Sequence, residues 1–245
     1  MEHLEGRQSV LAALVARQRK IDVILLRHGI HEESIRDILD LAAATNVPVR
    51  YVDQGQLESM SHGSSHGGVI AVCSAKPRTS IEQLVHMLDR LTEPPLLLLL
   101  EGVDDARNLG FTLRTADALG VHAVLIKKHL WDFDPIEVAR PASGAYERTP
   151  LVQIEDVEPL RTLQRRGVIL TGCLANVTRT IYDTDFTRPT IIAIGGEKRG
   201  LSGAVRDICD QFVTIPSRPE PSSLSLSHAG AIVMSEAARQ RRALR

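Results

Sequence analysis

From Leu96 onward, short apolar runs alternate with helical patterns, and this alternation restricts the fold more than any other property of the chain. Leu96–Glu101, Ala123–Lys127 and residues 168–174, 190–194 and 212–215 are strand-sized runs. Helical spacing separates them at 109–119, 157–166, 201–209 and 224–242. Strands alternating with helices predict an α/β fold with a mostly parallel sheet covered on both faces. In open sheets of this kind, ligands sit beyond the carboxyl ends of the strands. Asn108, Gly196 and Pro216 each follow an expected strand end. Three segments far apart in sequence can therefore share one crevice.

A smaller α/β unit precedes this domain. Val10, Leu11, Leu14 and Val15 lie at helical spacing over 7–19, and 22–26 reads as a buried strand. A second amphipathic helix runs over 34–45 through Ile35, Ile38, Leu39 and Ala42, and Asn46 and Pro48 close it. Residues 47–52 and 69–72 are strands. After a polar exit at 76–80, a short helix over 81–91 leads to Pro94-Pro95, which no helix interior tolerates. The expected organisation is an N-terminal unit at 1–75, a linker at 76–94 and a second domain at 95–245.

Composition excludes several classes. An apolar fraction of 43% in 245 residues suits an ordinary globular protein with a real core. No apolar run approaches the roughly 20 residues of a membrane span. The N-terminal Met-Glu-His-Leu-Glu-Gly lacks an apolar signal core, so a cytoplasmic protein is expected. Cys73, Cys173 and Cys209 are odd in number and far apart, which fits neither a disulfide framework nor a CxxC metal site. No metal is expected. The net charge of −1 neither supports nor excludes an RNA partner, since a neutral total can hide a basic face. Arg239, Arg241, Arg242 and Arg245 could touch RNA, and equally they are what a helix C-terminus favours.

The residues with chemical potential cluster in four places. Asp104 to Gly110 reads as a strand-to-helix turn in which Asn108 is either a plain N-cap or a ligand of the site. Arg114 lies near the start of that helix, where the macrodipole opposes it, so an anion should offset it: a phosphate, Asp104 or Asp117. Ile194-Gly195-Gly196-Glu197-Lys198-Arg199-Gly200 is a glycine-rich turn bearing one acid. There Glu197 either favours the helix after Leu201 or orients a substrate or the Asn108 loop. Ile215-Pro216 is followed by Ser223-Leu224-Ser225-Leu226-Ser227-His228-Ala229, where any of the three serines could cap the last helix. His228 has few polar partners in sequence and reads as a solvated or packed side chain rather than a catalyst. A nucleotide-dependent oxidoreductase fits the α/β pattern but would need GxGxxG where Asn-Leu-Gly stands.

Asn108-x-Gly110 with Arg114-Thr115, Gly196-Glu197-x-x-Gly200, and Ile215-Pro216 with Ser223-Leu224-x-x-Ser227-x-Ala229 occur in order at suitable spacing. Together they resemble the three-motif signature of the SpoU branch of the SPOUT RNA methyltransferases over about 95–245. Arg140 to Arg148, with Ser143-Gly144-Ala145 inside, resembles a family segment between the first two motifs. Glu5-Gly6-Arg7-x-x-Val10 and His66-Gly67-Gly68-Val69 resemble the ribosomal-protein-like RNA-recognition domain that precedes the catalytic domain in ribosomal RNA ribose methyltransferases, such as the 23S guanosine type.

The resemblance implies a SPOUT domain with a deep trefoil knot, a small N-terminal RNA-binding domain and a homodimer. It implies an S-adenosylmethionine-dependent enzyme that methylates a ribose 2′-hydroxyl in RNA. Ribosomal (23S) RNA is expected over tRNA, because minimal tRNA-acting relatives lack the N-terminal domain. The alternatives are a tRNA 2′-O-methyltransferase and a non-catalytic RNA-binding or ribosome-assembly relative. The implied cofactor contacts are Gly195, Gly196, Ile215, Leu224 and Ala175; the implied catalytic group is Arg114, Asn108, Glu197, Ser223 and Ser225. Family accounts make the residue matching Arg114 the base, but a guanidinium with a pKa above about 12 is a poor one. Stabilising the forming alkoxide while binding a phosphate is the sounder role. The family usually has Asn at the position of Ser225, and Ser loses the reach and donor of the amide.

Overall fold

A computed structural model describes residues 1–62, 66–127, 133–218 and 224–243. The chain runs through β1 (Glu2–Glu5), α1 (Arg7–Ala16), β2 (Ile21–Arg27), α2 (Arg36–Ala44), β3 (Val49–Val52), α3 (Gln54–Met60) and β4 (Val69–Cys73). It continues with α4 (Ile81–Leu88), β5 (Leu96–Glu101), α5 (Ala106–Ala118), β6 (Ala123–Lys127), α6 (Pro135–Ala142), α7 (Ala145–Arg148) and β7 (Leu151–Ile154). The last third holds α8 (Glu158–Arg165), β8 (Ile169–Cys173), β9 (Thr190–Gly195), α9 (Gly203–Arg206), β10 (Gln211–Val213) and α10 (Leu226–Arg242). These elements form two compact units: residues 1–77 with 134–148, and residues 78–133 with 149–245. Residues 134–148, which the expected division places in the second domain, thus pack with the first unit.

The first unit is a four-stranded sheet in the order β1-β4-β2-β3, with β4 antiparallel to β1 and β2 and with β2 parallel to β3. Val10, Leu14, Ile24, Leu26, Ile38 and Val69 fill its core with α1 and α2. α7 lies against α1 through the segment that contains Ser143-Gly144-Ala145. Gly144 has φ +84°, and a Cβ there would come within 2.8 Å of the Gln8 carbonyl oxygen. Close backbone approach explains that glycine.

An ionic cluster holds the segment from the other side. The fully buried Arg19 guanidinium donates to Glu147 at 3.0 Å, to Glu2 at 2.9 Å and to the Ser74 carbonyl at 3.0 Å. Lys76 donates to the Tyr146 carbonyl and sits 4.8 Å over the Tyr146 ring. Burial pushes the Lys76 amine down to about 8, against the pull of Glu147 and with the repulsion of Arg19. The unfolded chain, whose lysine titrates near 10.5, then binds more protons from about pH 8 to 10.5. The contribution of Lys76 to stability should therefore rise with pH across that window. Lys76→Met should flatten the rise, read as the difference in urea midpoint between pH 8 and pH 10.

The second unit is a six-stranded, fully parallel sheet in the order β10-β8-β9-β5-β6-β7. Leu96 to Leu100 are all buried, as a central strand covered on both faces requires. Leu97, Leu99, Leu125, Ile191 and Leu170 face one layer with α4, α8 and α9. α5 and α10 pack together on the other face, where Gly230 brings α10 close to Ile194 of β9 and Thr112 of α5. Arg241 anchors the end of α10 by donating to the carbonyls of Phe186 and Arg188, each at 2.8 Å, and of Pro95 at 3.1 Å. Arg239 pairs with Glu236. Arg241 therefore serves the fold, and Arg245 lies outside the described residues.

The sequence reading misses β1, β7, α3, α6 and α7. β1 carries two glutamates, and β7 is a four-residue strand after Pro150, so neither shows a strong apolar run. α6 contains Pro141, which hides its helical pattern.

Candidate functional site

Because all six strands of the second sheet are parallel, the carboxyl ends of β5, β8, β9 and β10 share one edge. α5 leaves that edge just after β5. Its N-cap is Asp105, whose carboxylate accepts from the backbone N–H of Arg107 at 2.7 Å and of Asn108 at 3.4 Å. Asn108 is thus inside the first turn and is not the cap. With capping supplied by Asp105, the Asn108 side chain is left to accept a hydrogen bond from Ser227 Oγ at 3.1 Å.

Arg114 is exposed, about two turns into α5 and roughly 9 Å along the axis from Asn108. The macrodipole has faded there, so the expectation of a position near the helix start does not hold. Asp104, one expected partner, pairs with Lys198 at 2.7 Å instead. The Arg114 guanidinium has no hydrogen-bond or ion-pair partner among the described residues.

The glycine turn is a closed loop. Gly196 N–H donates to the Glu101 carbonyl at 2.6 Å, and Gly200 N–H donates to the Gly196 carbonyl at 2.8 Å. A Cβ at Gly196 would overlap the Gly102 carbonyl, and one at Gly195 would overlap the backbone of Gly200 and Leu201. The space that glycine frees is filled by protein backbone. Glu197 Oε1 accepts from Leu226 N–H at 3.2 Å. This acid therefore serves the N-terminus of α10, whereas α9, the helix after Leu201, is capped by Ser202.

Ser225 is the N-cap of α10, and its Oγ accepts from His228 N–H at 3.4 Å. The same Oγ lies 2.5 Å from His228 Nδ1 and 3.1 Å from Ser227 Oγ. A continuous chain of hydrogen bonds therefore joins His228, Ser225, Ser227 and Asn108. His228 is exposed, as a solvated side chain should be. Ser223 lies outside the described residues, and Leu224 is 41% exposed. Ser227 is a link that the sequence reading did not place in the catalytic group, which held Ser223 and Ser225. Its position just inside the helix cap, opposite α5, is visible only in the packing.

Ala175 and Ile215 follow the ends of β8 and β10, with Gly195 at the end of β9. Neighbouring strands lie about 4.8 Å apart, so these three positions line a short stretch of one sheet edge. Ala175 is exposed, Ile215 is half-buried, and the Ala175 carbonyl accepts from Thr214 Oγ1 at 2.9 Å. The nearby Cys173 thiol is pushed up to about 12 by burial and by Cys209, so it stays neutral and is no nucleophile. No group of His, Cys, Asp and Glu among the described residues could hold a metal ion.

The structure thus links Asn108, Glu197 and Ser225 through α10, sets Ala175, Gly195 and Ile215 on the adjoining edge, and leaves Arg114 outside the network. The SpoU rRNA Methylase family model matches residues 95–235, and the family described as RNA 2′-O ribose methyltransferase substrate binding matches 3–79. The 23S rRNA (guanosine-2′-O-)-methyltransferase RlmB of Pseudomonas putida is 34% identical over 246 residues, covering 100% of this chain and 99% of that protein. The protein of the same name from Ralstonia nicotianae is 35% identical over 239 residues, covering 97% and 95%. Among solved structures, the SpoU methyltransferase AviRb from Streptomyces viridochromogenes, in complex with the cofactor AdoMet, superposes with a TM-score of 0.81. It has 25% identity and covers 98% of this chain and 90% of that one.

Proposed function

Because the chain belongs to the SpoU rRNA methylase family, we propose that it transfers the methyl group of S-adenosylmethionine to the ribose 2′-hydroxyl of a guanosine in 23S rRNA. The observation that carries this reading is the hydrogen-bonded chain through Asn108, Ser227 and Ser225, together with the Glu197–Leu226 bond. Three motifs spread over more than a hundred residues of sequence meet there, at the carboxyl edge of a parallel sheet, where such folds bind ligands.

The residues at that edge suit the cofactor. Gly195, Ala175 and Ile215 offer backbone groups and small or apolar side chains, and half-exposed Leu224 offers apolar surface that an adenine can cover. Bound S-adenosylmethionine supplies an activated methyl group for in-line displacement, so most of the rate must come from positioning. Asn108 and Glu197 hold α5, the glycine loop and α10 in one arrangement. Arg114, a cation without a partner among the described residues, binds an RNA phosphate and stabilises the oxygen that loses its proton. Ser223 hydrogen-bonds near the reacting ribose. The protein acts in the cytoplasm as a homodimer with a trefoil-knotted C-terminal domain, and residues 3–79 engage the RNA. No helix among the described residues is long and apolar enough to cross a membrane.

Ser225 does not argue for a non-catalytic relative. It caps α10, and Asn, the usual family residue, caps about equally well. Ser225→Asn should therefore leave stability within about 0.5 kcal/mol and preserve cofactor affinity, whereas Ser225→Ala should cost about 1 kcal/mol. Urea unfolding of the three proteins checks this. The function itself is tested by incubating the enzyme with methyl-labelled S-adenosylmethionine and separate 23S rRNA and tRNA pools. An alkali-resistant labelled dinucleotide from 23S rRNA supports the proposal, and label in tRNA alone refutes its substrate.

A further inference from the structure

Glu101 closes β5 after five consecutive leucines, and it is buried to 4% exposure. A sixth apolar residue would fit that strand at no electrostatic cost, so the carboxylate needs a reason. Its contacts supply one. The Glu101 carbonyl accepts from Gly196 N–H at 2.6 Å, and its carboxylate accepts from Ser202 N–H at 2.7 Å and from Lys127 Nζ at 2.5 Å. Lys127 Nζ is also 3.5 Å from Ser202 Oγ. One residue thus fastens both ends of the loop 196–202, which carries Glu197.

The contacts form a circuit. From Glu101 the path runs through the loop to Glu197, then to Leu226 N–H, along the first turn of α10 to Ser227, and across to Asn108. Asn108 sits on the helix that leaves β5 directly after Glu101. Breaking the circuit at Glu101 frees the glycine loop and, through Glu197, the start of α10. Burial opposes the Glu101 charge, but Lys127 and Ser202 outweigh it and hold the carboxyl below its ordinary range. The clamp is therefore ionised at neutral pH.

We infer that Glu101, paired with Lys127, is a positioning residue of the methyl-transfer site that sets the glycine loop for cofactor binding. This rests on the proposed methyltransferase reading, and it adds two residues that lie outside the three motifs and do not touch the reacting atoms. Preorganised loops gain affinity by avoiding ordering costs, so losing the clamp should appear in cofactor binding first.

The test uses the full-length protein with Glu101→Gln, Lys127→Met and Lys127→Arg. Calorimetry gives S-adenosylmethionine affinity, steady-state assays give KM and kcat, and hydrogen exchange follows the amides of Gly196, Ser202 and Leu226. Glu101→Gln and Lys127→Met should each raise Kd and KM for the cofactor about 10-fold, the loss expected for one charged hydrogen bond. KM for RNA and kcat at saturating cofactor should stay within about 3-fold, and the three amides should exchange faster in both variants. Lys127→Arg should restore affinity, and the double variant should be no weaker than either single one, because both break one contact. Cofactor affinity within 2-fold of the parent in folded Glu101→Gln or Lys127→Met overturns the inference. So does unchanged exchange at the loop. If Glu101→Gln does not fold, Lys127→Met decides alone. A parent protein that binds no S-adenosylmethionine refutes the methyltransferase reading instead, while exchange at the loop still judges the clamp.

Discussion

Arg114→Ala should lower kcat for RNA methylation by about 10²–10³-fold, the usual loss when one charge-stabilising donor is removed from a transition state. S-adenosylmethionine should bind as before, because Arg114 is exposed on α5 and outside the network of Asn108, Glu197 and Ser225. The melting temperature should not move, since the guanidinium has no partner among the described residues and surface changes of this kind stay within about 0.5 kcal/mol. Arg114→Lys should recover only part of the loss, because an ammonium keeps the charge but not the planar fork that grips a phosphate in two places. Single-turnover methylation with saturating cofactor separates these cases from weakened binding. An Arg114→Ala enzyme with near-parental turnover removes Arg114 from the mechanism.

Gly196→Ala should severely damage the cofactor edge. The new methyl would overlap the Gly102 carbonyl, so two backbones must part by on the order of 1 Å. That movement also breaks the hydrogen bond from Gly196 N–H to Glu101. Overpacking and a lost buried hydrogen bond together cost about 2–4 kcal/mol. The loop that presents Glu197 to Leu226 moves with them, so cofactor affinity should fall at least about 100-fold, a larger effect than a lost charge contact gives. Gly203→Ala provides the control. Nothing lies within 4 Å of a Cβ there, and the residue begins α9, so the change should be neutral or slightly stabilising. Thermal unfolding and calorimetry on both variants check the contrast. Parental cofactor affinity in Gly196→Ala contradicts the account of the loop.

The parallel sheet of the second unit is legible because β5, β6 and β9 are nearly pure apolar runs, and β5, from Leu96 to Glu101, matches its expected bounds. The strand order is not. β5 pairs with β9, and Leu96 meets Thr190 across a long stretch of intervening chain, a contact that no local pattern signals. Sequence leaves Asn108 open between a cap and a site residue because Asp104, Asp105 and Asn108 all suit the cap, and only the backbone geometry selects Asp105. For Glu197 the sequence offers the helix after Leu201 or a role in the site, and the structure joins it to α10, which packing brings to the same edge. The glycines at 195 and 196 were found from composition, but their reason is the backbone of Gly102, Gly200 and Leu201. Glu101 passed unnoticed because a single acid at the end of a leucine run looks like the polar boundary of a strand. What sequence reveals well is the periodic and the local; what it hides here are single side chains that reach across elements.

The proposed reaction is methylation of a guanosine ribose of 23S rRNA in the cell. The most direct measurement maps 2′-O-methylated riboses of 23S rRNA and tRNA in a strain lacking the gene, in its parent, and in the deletion strain carrying the Arg114→Ala protein. The account predicts one methylated guanosine of 23S rRNA lost on deletion and not restored by the variant, with tRNA unchanged. An intact 23S pattern in the deletion strain would contradict it.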